Sequence, residues 1–145
     1  MKHILSYLLI IFTAVTTFAA PSKNDEITWL REAADSLHSI GRTDSAVIVG
    51  ERALRLANES NDPTQIVGTH AALGVFLRSL GRIDDALNSY EKALAIVTSG
   101  KFRENPSQES IEEIASLYIN LAVLNLDTQH KELAAKHAEI SGQWV

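Results

Sequence analysis

The chain has 145 residues, 46% of them hydrophobic, and its 13 Lys and Arg residues stand against 18 Asp and Glu residues. The net charge of −5 argues against nucleic acid or an anionic lipid surface as the main partner, because both attract basic proteins. The absence of cysteine excludes disulfides, thiol catalysis and thiolate metal sites.

The N-terminus has the layout of a secretory signal peptide. A basic start around Lys2 is followed by an apolar run over residues 4–18 and by small residues at the expected cleavage point after Ala19. The alternatives are an uncleaved anchor and a buried core helix. The run is shorter than the about 20 apolar residues that span a membrane, which favours export with cleavage. We therefore predict a signal peptide at 1–19, a domain at 20–145, and export, with the periplasm as the expected location. The membrane is expected as a partner only if this segment stays uncleaved.

Two segments of the remaining chain have nearly the same sequence. Residues 40–46 read IGRTDSA and residues 80–86 read LGRIDDA, and residues 51–54 (ERAL) correspond to residues 91–94 (EKAL). Apolar residues spaced three and four apart on both sides of each glycine indicate amphipathic helices, so each copy is predicted to be a helix, a tight turn and a second helix. A third, weaker copy follows. The predicted units are 27–60, 67–100 and 115–145.

Two linkers separate the units and are predicted to be loops followed by extensions of the next helix. Asp62 and Pro63 are typical of a helix start, with an N-cap acid before a proline at the first helical position. Gln65 is placed to complete a capping box with this acid. In the second linker, either Ser107 or Ser110 is expected to cap the next helix.

Small residues recur at three fixed places in the units. In each unit the second and third places are seven residues apart, which is two helical turns, so they share one face. Small side chains at these places allow two helix backbones to approach closely while larger neighbours fill the grooves. The nine residues are Ala34, Gly74 and Ala122, then Ala46, Ala86 and Ala134, then Ala53, Ala93 and Ser141.

These units resemble tetratricopeptide repeats, a family of 34-residue helix–turn–helix modules. The second unit fits the family pattern best, at Leu73, Gly74, Gly81, Ala86, Tyr90 and Ala93. The first unit has Gly50 in place of the aromatic residue, the third has Gln129 in place of the turn glycine, and no unit has the terminal proline. The resemblance implies an all-α, right-handed solenoid of antiparallel helix–turn–helix repeats.

The resemblance also implies a groove, formed by the first helices of the units, that binds proteins or peptides. The family's groove positions correspond in this chain to Arg31, Asp35 and His38 in the first unit, to Ala71, Val75, Arg78 and Ser79 in the second, and to Ile119, Val123 and Leu126 in the third. The two arginines are expected to meet acidic groups of a partner. The three apolar residues of the third unit are expected to support an extended peptide or an amphipathic helix. The alternative is that these three residues simply pack against another helix.

No pattern in the sequence indicates catalysis, a cofactor or a metal site. His130 and His137 would lie about 10 Å apart along one helix, and no His-Glu-x-x-His spacing occurs. The adjacent acids Asp84 and Asp85 would point about 100° apart at a helix start, where negative charge is favourable. There is no phosphate-binding glycine loop and no nucleophile elbow. We therefore predict a protein that is not an enzyme and that needs no cofactor and no metal.

The sequence thus predicts a protein- or peptide-binding scaffold of about three repeats that acts outside the cytoplasm. The rival function is that of a sensor input domain, the N-terminal part of a longer membrane signalling or regulatory protein. No capping helix follows the third unit, which ends near Trp144. We therefore expect a second copy of the chain, or further sequence, to cover the apolar face of the last unit.

Overall fold

A computed structural model of the chain describes residues 20–102 and 104–145. This part of the chain contains six α-helices and no strand, and none of its helices is both long and apolar enough to cross a membrane. The signal peptide predicted at residues 1–19 lies outside the described residues. The helices are α1 (Lys23–Ser39), α2 (Thr43–Ser60), α3 (Pro63–Ser79), α4 (Ile83–Thr98), α5 (Gln108–Asp127) and α6 (Lys131–Gly142).

The helices are arranged as three consecutive pairs, each joined by a tight turn. Gly41 and Gly81 occupy the left-handed region at these turns, with φ of 79° and 73°. Gln129 takes the same place in the third pair and adopts the same conformation, with φ of 64°. The amide of His130 then donates to the Asn125 carbonyl at 2.7 Å, so the turn survives the loss of its glycine.

The small residues lie at the contacts between paired helices, as the sequence predicts. All nine are buried. In the second pair, Gly74 of α3 faces the ring of Tyr90 of α4 so closely that a Cβ at Gly74 would overlap the ring. In the third pair, the hydroxyl of Ser141 donates to the Ala115 carbonyl at 3.0 Å and joins α6 to α5. The predicted register of the helix pairs is therefore confirmed.

The pairs stack because the first helix of each pair packs on both helices of the preceding pair. Helix α3 contacts α1 and α2, and α5 contacts α3 and α4. Gly50 of α2 shows why the first unit departs from the family pattern. A Cβ at this position would lie 2.8 Å from Leu73 Cδ2 and 3.6 Å from Phe76 Cε2, so α3 already fills the space of an aromatic side chain.

The starts of α3 and α5 follow the predicted linkers, with one correction. Asp62 accepts a hydrogen bond from the Thr64 amide at 2.9 Å, and Ser107 accepts one from the Ser110 amide at 3.1 Å. The predicted capping box at α3 is wrong, because Gln65 donates its side-chain amide to Glu109 Oε1 at 2.8 Å instead. This glutamine therefore links α3 to α5.

Apolar side chains are exposed at both ends of the stack. Trp29 of α1 and Ile40, which directly follows α1, are exposed at one end, and Leu133 of α6 is exposed at the other. In the interior of the stack, the position equivalent to Trp29 is Thr69, which is fully buried. Coverage of the last unit by a second copy or by further sequence stays a prediction.

Candidate functional site

One open depression lies on the face that the first helices of the three pairs form together. Its volume is about 260 Å³. This is below the range of about 300–1,000 Å³ typical of small-molecule pockets, so it suits one or two side chains of a ligand rather than a cofactor. We call it the groove; its lining residues are Arg31, Asp35 and His38 of α1, Gly68, Ala71, Ala72, Val75 and Phe76 of α3, and Glu113, Ser116 and Asn120 of α5.

An ion pair crosses the groove from the first helix pair to the third. Arg31 of α1 donates through Nη2 to Glu113 Oε1 of α5, and both side chains are largely buried. Helix α3 lies between them, and a Cβ at Gly68 would overlap the Glu113 carboxylate. The missing side chain at Gly68 thus allows the carboxylate to lie against α3 and reach the arginine.

Asp35 and His38, both predicted to line the groove, lie there beside the apolar surface of α3. The His38 ring packs on the Phe76 ring at a centroid distance of 5.2 Å, and its Nδ1 lies 3.0 Å from Thr43 Oγ1. Asp35 makes no hydrogen bond or ion pair with any described residue. Burial raises the pKa of the Asp35 carboxyl, and the nearby charges of Arg31 and His38 oppose this only in part.

Arg78 and Ser79 lie at the C-terminal end of α3, beyond the depression. Arg78 Nη1 is 2.8 Å from Asp127 Oδ2 of α5, and the Ser79 hydroxyl donates to the Val75 carbonyl at 3.0 Å. Arg31 is likewise paired with a carboxylate of α5. Both arginines expected to meet acidic groups of a partner therefore already have carboxylate partners within the chain.

An apolar strip on α5 continues the groove. It consists of Ile119, Val123 and Leu126. Ile119 is 52% exposed and Leu126 is 58% exposed, and Val123 is partly exposed. Ile119 and Leu126 are therefore not buried against another helix in the described part of the chain. The strip is open to a ligand along about two turns of helix.

A buried Ser–His contact that the sequence did not indicate lies on the other side of α3. His70 Nδ1 is 3.2 Å from Ser89 Oγ, and the Ser89 hydroxyl donates to the His70 carbonyl at 3.0 Å. Since that carbonyl takes the hydroxyl proton, the imidazole N–H must be the donor in the other contact. Burial, with a smaller contribution from Lys92, lowers the pKa of His70 to about 4. The contact therefore binds the two helices together and does not activate the serine as a nucleophile.

A larger depression, of about 640 Å³, lies at the turn between α5 and α6. All of its lining residues belong to the short segment 129–136, so no second element encloses a ligand there. His130 contacts Thr128, whereas His137 accepts a hydrogen bond from the Asn125 amide. Within residues 20–102 and 104–145, no three His, Asp or Glu side chains gather in a way that could hold a metal ion.

The stacked helix pairs define an all-α helical-repeat protein. A family model described as "Tetratricopeptide repeat" matches residues 69–104, which cover most of α3 and the whole of α4. Residues 69–104 are therefore similar to a tetratricopeptide repeat, and such repeats are helical scaffolds for interactions between proteins. Comparisons with curated proteins and with solved structures give no match.

Proposed function

We propose that the chain is a non-enzymatic scaffold that binds a peptide or protein segment in the groove and along the α5 strip. The observation that carries this proposal is that α5, which lines the groove with Ser116 and Asn120, also exposes the apolar side chains of Ile119 and Leu126. Exposed apolar surface bordered by polar groups is typical of sites that bind partners.

The groove is held in place before any partner binds. The Arg31–Glu113 pair links the first helix pair to the third, and the Gln65–Glu109 hydrogen bond links the second to the third. A partner therefore meets a surface that is already ordered, and little conformational entropy is lost on binding.

The proposed place of action is outside the cytoplasm, most specifically the periplasm, and its support is the signal-peptide layout of residues 1–19. Intact-mass measurement of the protein from the exported fraction tests this. We expect a chain that begins at Ala20. Recovery of the chain only from the cytoplasm, with its first nineteen residues attached, would contradict export.

A pair of tryptophan variants tests the binding surface. Val75→Trp fills the groove, whereas Ile48→Trp adds the same side chain at an exposed position of α2 that does not line the groove. We expect Val75→Trp to lose the partners that the original protein captures from its native compartment, and Ile48→Trp to keep them. If both variants capture the same partners and keep the same helicity, the groove is not the binding surface.

The rival function, a sensor input domain of a longer membrane protein, uses the same surface and differs in its output. It predicts that the coding sequence continues beyond Val145 into a membrane span. Reading the neighbouring coding region therefore separates the two functions.

A further inference from the structure

The groove keeps one negative charge after its internal ion pair is made. Three charged residues line it, namely Arg31, Asp35 and Glu113. Arg31 and Glu113 neutralise each other, which leaves the carboxylate of Asp35 without a partner among the described residues. Asp35 is exposed, but the helices around it partly desolvate its carboxylate, so it gains more from an incoming cation than a carboxylate in open solvent does.

The other end of the binding surface also presents a carboxylate, although an ion pair neutralises it. Arg78 and Asp127 form an ion pair there, but the side chain of Asp127 is 45% exposed and that of Arg78 is 28% exposed. The carboxylate is therefore the more accessible member of the pair. A ligand that lies along the surface therefore meets an accessible carboxylate at both ends.

Apolar side chains accompany these two carboxylates on α3 and α5. Val75 belongs to the groove, and Ile119 and Val123 begin the α5 strip. Burial of such side chains against apolar groups of a ligand removes apolar surface from water and so favours binding. A fitting ligand therefore combines apolar side chains with a cation.

We propose that the groove selects peptide segments in which Lys or Arg lies beside apolar side chains, with Asp35 as the partner of the cation; this rests on the proposed function. The selectivity is opposite to the one expected from the arginines, because both arginines are neutralised by carboxylates of α5. An acidic peptide would bring a second carboxylate to Asp35, and juxtaposed like charges disfavour binding.

Selection from a library of random short peptides displayed on phage tests the preference. The baits are the unmodified protein, Asp35→Asn, Asp35→Lys and the control Glu91→Gln, which removes an exposed carboxylate of α4 outside the groove. We expect the unmodified protein and Glu91→Gln to enrich peptides with Lys or Arg beside apolar residues. Asp35→Asn should lose the preference for basic residues, and Asp35→Lys should enrich acidic residues instead.

Affinity measurements on one enriched peptide make the test quantitative. Replacement of its basic residue by Gln should weaken binding to the unmodified protein about tenfold, the value of one charge-assisted contact at a partly exposed site. The same replacement should change nothing for Asp35→Asn. Circular dichroism on both Asp35 variants checks folding; should Asp35→Lys fail to fold, Asp35→Asn alone decides the outcome.

The outcomes separate this proposal from the proposed function. Enriched peptides that are acidic or uncharged, but whose binding is lost in Val75→Trp, would overturn the preference for cations and leave the groove as the binding surface. Equal enrichment of basic peptides by the unmodified protein and by Asp35→Asn would overturn the role of Asp35. Enrichment of no peptide at all would contradict both proposals.

Discussion

Replacement of Gly74 by Ala tests the closest contact between two paired helices. In an exposed helix interior this change stabilises a protein by about 0.8–1 kcal/mol, because Ala has the higher helix propensity. At Gly74 the new methyl group would overlap the Tyr90 ring, which is fully buried and cannot turn into solvent. The two effects therefore have opposite signs.

The packing effect should prevail. Overpacking of a core costs about 1–3 kcal/mol, and the gain in helix propensity offsets about 1 kcal/mol of this. We expect a net loss of up to about 2 kcal/mol in the free energy of unfolding. For a domain of this size, a loss of about 1 kcal/mol lowers Tm by about 3–6 °C.

Thermal and urea unfolding, followed by circular dichroism, measure this loss, and two further variants identify its cause. Gly142→Ala is the matched control, because a Cβ at this glycine meets no atom within 4 Å, and we expect no loss of stability. In a Tyr90→Leu background, Gly74→Ala should become neutral or stabilising, because the ring that opposes the methyl group is gone. A rise in Tm for Gly74→Ala alone, or the same loss in both backgrounds, would refute the contact.

Three further predictions concern other parts of the structure. Gly68→Ala should displace the flexible Glu113 side chain from Arg31 at a cost of about 1 kcal/mol or less in the free energy of unfolding. Because the ion pair is already broken in this variant, Glu113→Gln should destabilise the original protein but not Gly68→Ala, as measured by urea unfolding. Ala86→Leu should overpack α4 against α3 and cost about 1–3 kcal/mol, and an unchanged Tm would count against the assigned register. The pKa of His70 is about 4 in the folded chain and near 6.5 in the unfolded chain. Between these values only the unfolded chain binds the proton, so the stability of the fold is complete above pH 6.5 and falls by about 2 kcal/mol towards pH 4. His70→Leu, which copies Leu30 of the first unit, should flatten this part of the stability–pH profile.

The helices and their pairing could be predicted because they depend on local signals. Turn glycines, spaced apolar residues and small residues at fixed places are all visible along the chain, and the helices follow them. Gln129 shows that the turn forms even where one of these local signals is missing. A glutamine interrupts the sequence pattern, yet its backbone adopts the left-handed conformation because the helices on both sides are held by their own packing.

The electrostatics of the groove could be predicted only in part. Glu113 lies in the extension of α5 that precedes the third unit, outside the repeat register, so no positional comparison could place it beside Arg31. Asp127, in contrast, lies within the repeat register, at the position that Ser79 occupies in the second unit. Its carboxylate pairs with Arg78, the residue that precedes Ser79. Comparison of equivalent positions between neighbouring units could have revealed that pair.

The central claim is that a partner occupies the face built by α1, α3 and α5. Backbone amide chemical shifts, recorded by nuclear magnetic resonance while a selected peptide is titrated into the protein, test it most directly. We predict that the largest shifts fall on groove residues such as Asp35, Val75 and Asn120. Shifts concentrated on α2, α4 and α6, with the groove residues unchanged, would contradict the claim.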